Sequence, residues 1–293
     1  MAGVGGAWNK LQDVLNLSGL ASEMKLPQIV VVGTQSSGKS STLESLVECP
    51  LFPRGVGIVT RCPMIIHMIK EDCDMRVQFR EENGAMSKSF TDMSNMENEL
   101  RTRSNAITEG KVITDKPIIV YVHSRNVVNL TVVDLPGLTK ELVSGMPSNI
   151  DIGQLTRQMV LDNTKDNPNS IILAIFAANS DITTVDTHDV IREADPTSER
   201  TLGVLTKLDL VDQGEGPKEE ITAILENRNL QRRLRFGYIG VINRSQREIE
   251  NNVPISEVVT GERRFLEQHY PLIAHMHGIG RLKSILSEVT VEF

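Results

Sequence analysis

The chain has 293 residues, 40% hydrophobic and 24% charged, with 31 lysines and arginines against 38 aspartates and glutamates for a formal charge of −7. That length can bury one large core, while the acidic balance leaves no electrostatic footprint for nucleic acid and disfavours direct docking on an anionic membrane. The longest strongly apolar run, residues 171–178, is too short to span a bilayer, and the first residues carry neither a signal pattern nor a myristoylation glycine. Three cysteines, Cys49, Cys62 and Cys73, form neither an even disulfide set nor a close-spaced metal motif, so reduced thiols in the cytosol are expected.

In chain order, Trp8, Leu11, Val14 and Leu15 come first, on one helical face closed by Gly19 and the Leu26-Pro27 pair. Seven β-rich runs then alternate with helical patterns: QIVVVG, MIIHMI, IIVYVH, NLTVVD, IILAIFAA, TLGVLT and YIGVI. Apolar runs without polar alternation suit strands covered on both faces. The prediction is an α/β fold, a three-layer sandwich around a mainly parallel sheet, with its ligand beyond the carboxyl ends of the strands. Residues 81–110 are polar and read as a loop plus a surface helix. At the end, Ile279, Leu282, Leu286 and Val289 repeat the helical period with Gly280 near the start, and this helix is expected to pack on the first one.

Gly33-Thr-Gln-Ser-Ser-Gly38-Lys39-Ser40 fits G-x-x-x-x-G-K-[ST] between a buried strand and a helix beginning near Lys39. Glycines let backbone N–H groups turn toward phosphates and the helix contributes its positive end. Lys39 then reaches the β and γ oxygens, and Ser40 ligates Mg²⁺. Ser37 and Ser41 belong to the same cradle. Asp134-Leu-Pro-Gly137 follows NLTVV, which places a carboxylate at a strand end, suited to holding Mg²⁺ through water, and a glycine N–H free to sense the γ-phosphate. Thr206-Lys207-Leu208-Asp209 follows TLGVL. Its aspartate can accept from guanine N1–H and the 2-amino group, a donor pair that adenine lacks, and Lys207 can lay its stem over the base. Asn243, Arg244 and Gln246, after YIGVI, would close the base pocket from the other side.

With these blocks in place the sequence resembles the GTPase domain of the dynamin superfamily. The resemblance rests on LPQIVVVGTQSSGKSS, FPRGVGIVTR, VNLTVVDLPGLTK, AANSD, GVLTKLDLVDQG and GVINRSQ, in the family's order. GTQSSGKSS and NPNSIILA are most similar to its mitochondrial and peroxisomal fission branch. Phe52, Val56 and Cys62 depart from the usual pattern. The resemblance implies an extended P-loop domain over residues 25–277, flanked by bundle helices over 1–24 and 278–293, with GTP as substrate and Mg²⁺ as cofactor. It also implies a monovalent cation, potassium or sodium, near Ser36 and the carbonyls of Gly55 and Gly57.

Thr60 would then hold the attacking water and contact Mg²⁺, Gln35 and Gly137 would help place that water, and Arg54 would border the nucleotide. Two GTPase domains would meet across their nucleotides, with Asp181 and Asp212 reaching over the interface. Self-association would stimulate hydrolysis, and the whole protein would oligomerise on membranes. The expected setting is cytoplasmic, with recruitment to an organelle such as the mitochondrial outer membrane. Two classes of function stay open: a mechanochemical enzyme driving membrane fission, or a GTP-regulated scaffold in which hydrolysis is a timer. Taken singly, Gln35 also suits a polar loop, Asp181 a helix cap and Asp212 a turn. His275 and His277 suit packing better than metal binding, and the arginines of QRRLR a solvated face.

Overall fold

The computed structural model describes residues 27–52, 60–139, 151–165, 167–180, 186–211, 215–229 and 233–292. The helix predicted around Trp8, Leu11, Val14 and Leu15, and its packing on the last helix, lie outside them.

The strands are β1 (Gln28–Val32), β2 (Met64–Lys70), β3 (Arg76–Phe79), β4 (Ile118–Ser124), β5 (Leu130–Asp134), β6 (Ser170–Ala177), β7 (Thr201–Thr206) and β8 (Tyr238–Gly240). The helices are α1 (Lys39–Val47), α2 (Met96–Thr108), α3 (Ile152–Lys165), α4 (Asp186–Ala194), α5 (Glu215–Leu225), α6 (Gln246–Glu250), α7 (Ile255–His269) and α8 (Ile279–Glu292). All eight strands join one sheet in the order β3-β4-β2-β5-β1-β6-β7-β8. The predicted α/β sandwich with a mainly parallel sheet is the observed fold. Antiparallel pairing occurs where β2 meets β5 and β3 meets β4.

Side-chain alternation builds the three layers. In β1, Ile29 and Val31 face a layer containing Leu43, Leu46 and Val47 of α1, while Val30 and Val32 face Val160 of α3, Val190 of α4 and Ile224 of α5. β6 repeats the division, with Ile171, Leu173 and Ile175 on the α1 side and Ile172, Ala174 and Phe176 on the other. Both faces are therefore dry, as the unbroken apolar runs require. Ile279, Leu282, Leu286 and Val289 of α8 belong to the α1 layer, and Lys283 pairs with Glu48 just past α1.

One strand was not foreseen. β3 is a four-residue strand at the sheet's edge with alternating burial; it pairs with β4, and Val77 also forms an antiparallel bridge with Phe90. The polar stretch after it does contain a helix, α2, which buries Met96 and Leu100 and carries Arg103 over the Phe79 ring at 4.2 Å. Cys49 and Cys62 are buried free thiols, and burial pushes the Cys49 thiol up to about 12.

Candidate functional site

Strands β1, β5, β6, β7 and β8 run parallel, so their carboxyl ends open along one edge of the sheet. The ends of β5 and β7, the loops after β1, β5, β7 and β8, and the start of α1 carry most of the predicted site residues that are described, as expected for this class of sheet.

After β1 the chain turns at Gly33, where a Cβ would lie 2.6 Å from the Ile175 carbonyl oxygen and 2.7 Å from Ser37 Oγ. Only glycine fits that approach. Ser36 is exposed and holds a left-handed φ of 59°, and Gly38 follows at 99° as the N-cap of α1. That cap has no side-chain acceptor, and the first turn of α1 holds no acidic residue. Its N–H groups and the positive end of its dipole are thus left for an anion. Ser40 and Ser41 are half-buried in that first turn.

The loop after β5 is stitched to this turn. Leu138 N–H donates to the Gly33 carbonyl at 3.1 Å, and Gln35 N–H donates to the Leu138 carbonyl at 3.2 Å. Gly137 is thereby pressed against the phosphate turn, with its missing Cβ 3.0 Å from Gln35 N, Gln35 Cα and Lys39 Nζ alike.

Lys39 is buried and donates from Nζ to the carbonyls of Gly33 at 3.0 Å and Thr34 at 2.9 Å. Burial lowers its pKa to about 8 against the opposing influence of Asp134. Asp134 is fully buried at 0% exposure, and neither carboxylate oxygen has a hydrogen-bond partner among the described residues. Burial raises its pKa to about 7, with Lys39 pulling the other way. An aspartate left in that condition is costly, and a hydrated divalent cation beside a phosphate would satisfy both oxygens. The donor set present, a carboxylate oxygen and the Ser40 hydroxyl at a helix N-terminus, fits Mg²⁺. Ser37 Oγ is likewise buried without a hydrogen-bond partner among the described residues.

After β7, Thr206 Oγ1 lies 2.6 Å from the Ser37 carbonyl oxygen and 3.2 Å from that of Phe176, tying this loop to the phosphate turn. Lys207 takes a left-handed φ of 59° and starts a short 3₁₀ turn, Leu208–Leu210, that presents Asp209 at the surface. Asp209 titrates above the ordinary aspartate value, chiefly through loss of hydration and secondarily through Glu248. After β8, Asn243 bonds twice to α1: its Nδ2 donates to Thr42 Oγ1 at 2.9 Å, and its Oδ1 accepts from Ser45 Oγ at 3.1 Å. Arg244 Nη2 donates to Glu44 Oε2 at 3.1 Å. Gln246 opens α6, donates to Glu250 at 3.0 Å, and follows a Ser245–Glu248 capping box.

The structure therefore gathers Gly33, Gln35, Ser36, Ser37, Gly38, Lys39, Ser40, Ser41, Asp134, Gly137, Thr206, Lys207, Asp209, Asn243, Arg244 and Gln246 on one edge. Thr60 is described and half-buried, but no hydrogen bond joins it to Lys39, Ser40 or Asp134. Its neighbour Arg61 is fastened instead to the Val112 and Lys111 carbonyls and to Asn105. Arg54, Gly55, Gly57, Asp181 and Asp212 lie outside the described residues. Glu44 was missed by sequence reasoning; the one available signal was a carboxylate inside the otherwise uncharged run STLESLV.

A family model described as the Dynamin family matches residues 29–208. The chain belongs to the dynamin family. A second model, the Dynamin central region, matches residues 220–293 of this dynamin-family chain. The Dynamin-1-like protein of Danio rerio is 42% identical over 293 residues, covering 96% of this chain and 41% of that protein. The Dynamin-1-like protein of Mus musculus is also 42% identical, with 96% and 39% covered. Dynamin-1 of Bos taurus is 39% identical over 283 residues, with 96% and 32% covered. The chain thus spans about two-fifths or less of the curated relatives it matches. The P-loop sheet described above is the fold of the dynamin GTPase domain.

Proposed function

We propose that this dynamin-family domain binds GTP with Mg²⁺ and hydrolyses it to GDP and phosphate, as the mechanochemical part of a protein that constricts membranes. The observation that carries the reading is the buried Asp134 carboxylate, unsatisfied at both oxygens, beside Lys39 at the N-terminal end of α1. Gly33 to Ser41 would wrap the phosphates, and Lys39 would exchange its two carbonyl acceptors for β- and γ-phosphate oxygens. Ser40, Thr60 and, through water, Asp134 would hold Mg²⁺, which supplies neutralisation of the phosphate charge when bound.

Asp209 would read the guanine edge beneath the Lys207 stem, and the loop from Asn243 to Gln246 would bound the base. Gln35, Gly137 and Thr60 would place the attacking water. Ser36 with the Gly55 and Gly57 carbonyls would hold potassium or sodium, offsetting charge that develops between the β- and γ-phosphates. Asp181 and Asp212 would reach across a nucleotide-dependent dimer of GTPase domains, and that contact would raise turnover. Among the described residues no helix is long and apolar enough to cross a membrane. Attachment to an organelle such as the mitochondrial outer membrane would come from assembly of the whole protein, a reading supported by the likeness to dynamin-1-like proteins.

The test is initial GTP turnover per subunit against protein concentration, in potassium and in choline chloride, with a parallel sizing run in GDP and aluminium fluoride. Turnover should rise with concentration in potassium only, and the fluoride complex should run as a dimer. A constant rate and a monomeric complex overturn the dimer mechanism.

A further inference from the structure

Glu44 is a carboxylate at 2% exposure in the helix that begins the phosphate site, and it is not among the residues assigned to nucleotide above. Its Oε2 accepts from Arg244 at 3.1 Å, and its Oε1 accepts from the Phe52 backbone N–H at 3.2 Å. The ion pair is dry, with the Arg244 side chain at 11% exposure and that of Glu44 at 3%. A buried pair of this kind adds little stability over well-packed apolar side chains, whereas a fixed polar geometry selects one arrangement of the segments it joins. Those segments are α1, the loop after β8 and the chain at Phe52. The same loop is clipped to α1 a second time, through Asn243 to Thr42 and Ser45.

We propose that Glu44 is a positioning residue for the base-recognition loop: through Arg244 it fixes residues 243–246 against the phosphate-binding helix, so that the base edge and the phosphates are read in one register. This rests on the guanine-nucleotide reading given above. Arg244 faces the helix rather than open solvent because Glu44 holds it there. A neutral side chain at position 44 leaves the guanidinium without its charged acceptor, and the loop then samples arrangements in which the base is held less firmly. Phosphate contacts made by the first turn of α1 do not pass through this pair, so the loss falls on base affinity more than on the chemical step.

The experiment uses the full chain as Glu44→Gln, Arg244→Gln, Arg244→Lys and the Glu44→Gln/Arg244→Gln double variant. Fluorescent GDP and IDP affinities, turnover at saturating GTP and nucleotide-free thermal unfolding are measured for each. Each glutamine single variant should weaken GDP by about tenfold, the size of one charge-assisted hydrogen bond. The GDP-over-IDP preference should narrow, and turnover of Glu44→Gln at saturation should stay within about threefold. The double variant should be no weaker than the worse single one, and Arg244→Lys should recover most of the affinity.

Unchanged GDP affinity in the folded single variants overturns the proposal, even if their melting temperatures drop, and so does a double variant whose losses multiply. Should Glu44→Gln fail to fold, the two Arg244 variants decide alone: a tenfold loss in glutamine recovered by lysine supports it, and equal affinity in both overturns it. Wild-type chain that binds no guanine nucleotide, or binds ATP as well as GTP, overturns the functional reading itself. That outcome is distinct from normal wild-type binding with unaffected variants.

Discussion

Asp134 and Lys39 show opposite responses to the same dry surroundings, one pushed toward its neutral acid and the other toward its neutral amine. Asp134→Asn removes a buried charge that has no hydrogen bond, while Lys39 keeps its two carbonyl acceptors. Removing that charge should leave the unfolding free energy in EDTA unchanged or raise it by about 1 kcal/mol, and should cut Mg²⁺-dependent GTP turnover by about a hundredfold or more. Denaturant titration and a phosphate-release assay read the two effects, and a large loss of stability would contradict the orphaned state of the carboxylate. Gly137 gives a second test at this scale. A Cβ there would press at 3.0 Å on Gln35 and Lys39 Nζ. Gly137→Ala should therefore depress the turnover number by about tenfold or more while GDP affinity stays within about threefold. Equal losses in both measurements would place Gly137 in ground-state binding instead.

At the scale of elements, Glu262 of α7 does for the end of the domain what Glu44 does for α1. Its two oxygens accept from Ile242 N–H, just beyond β8, at 2.8 Å and from Ile279 N–H, at the start of α8, at 2.9 Å. Burial raises it to about 7, outweighing those two N–H donors, while burial lowers His277, whose Nδ1 accepts from Gly240 N–H, to about 4 and keeps that ring neutral above pH 5. Between the ordinary glutamate value and pH 7 the folded chain retains a proton that the unfolded chain has released, so stability falls as pH rises through that window. Glu262→Gln lacks this titration. Its unfolding free energy relative to wild type should thus increase by about 2 kcal/mol from pH 5 to pH 7, read by urea denaturation at both values. A pH-independent difference would mean that the carboxyl stays ionised throughout. Neither Glu44 nor Glu262 could be found from sequence, because the partners that give each its role, Arg244 for the one and Ile242 and Ile279 for the other, lie far along the chain. What was legible was local: the β-branched run of β1 entering Gly33, the Asp134 strand end and the apolar stripe of α8. β3 escaped because Arg76–Phe79 is four residues of alternating pattern behind an acidic turn, and its edge position needs no long apolar run. The antiparallel seam between β2 and β5 escaped for a different reason, since strand direction is set by how the intervening chain crosses the sheet.

For the whole molecule, the proposed nucleotide site adjoins both hydrophobic layers, since α1, β5 and β7 each supply core residues as well as predicted site residues and β1 runs directly into Gly33. Ligand binding should consequently stabilise the entire described sheet rather than one loop. A ligand at about a hundred times its dissociation constant adds about 2.7 kcal/mol to the folded state. In a chain of this size that raises the melting temperature by about 5 °C or more. The shift should appear with GDP and Mg²⁺, shrink when EDTA is added, and be nearly absent with ADP at the same concentration. In Asp134→Asn the EDTA-sensitive part should vanish while a smaller GDP-dependent part remains, because the phosphate turn and Asp209 still engage the nucleotide. Scanning calorimetry distinguishes these cases: one cooperative transition moving as a unit is expected, whereas a split transition with only one part shifted by GDP would show that the base loop and the sheet unfold independently.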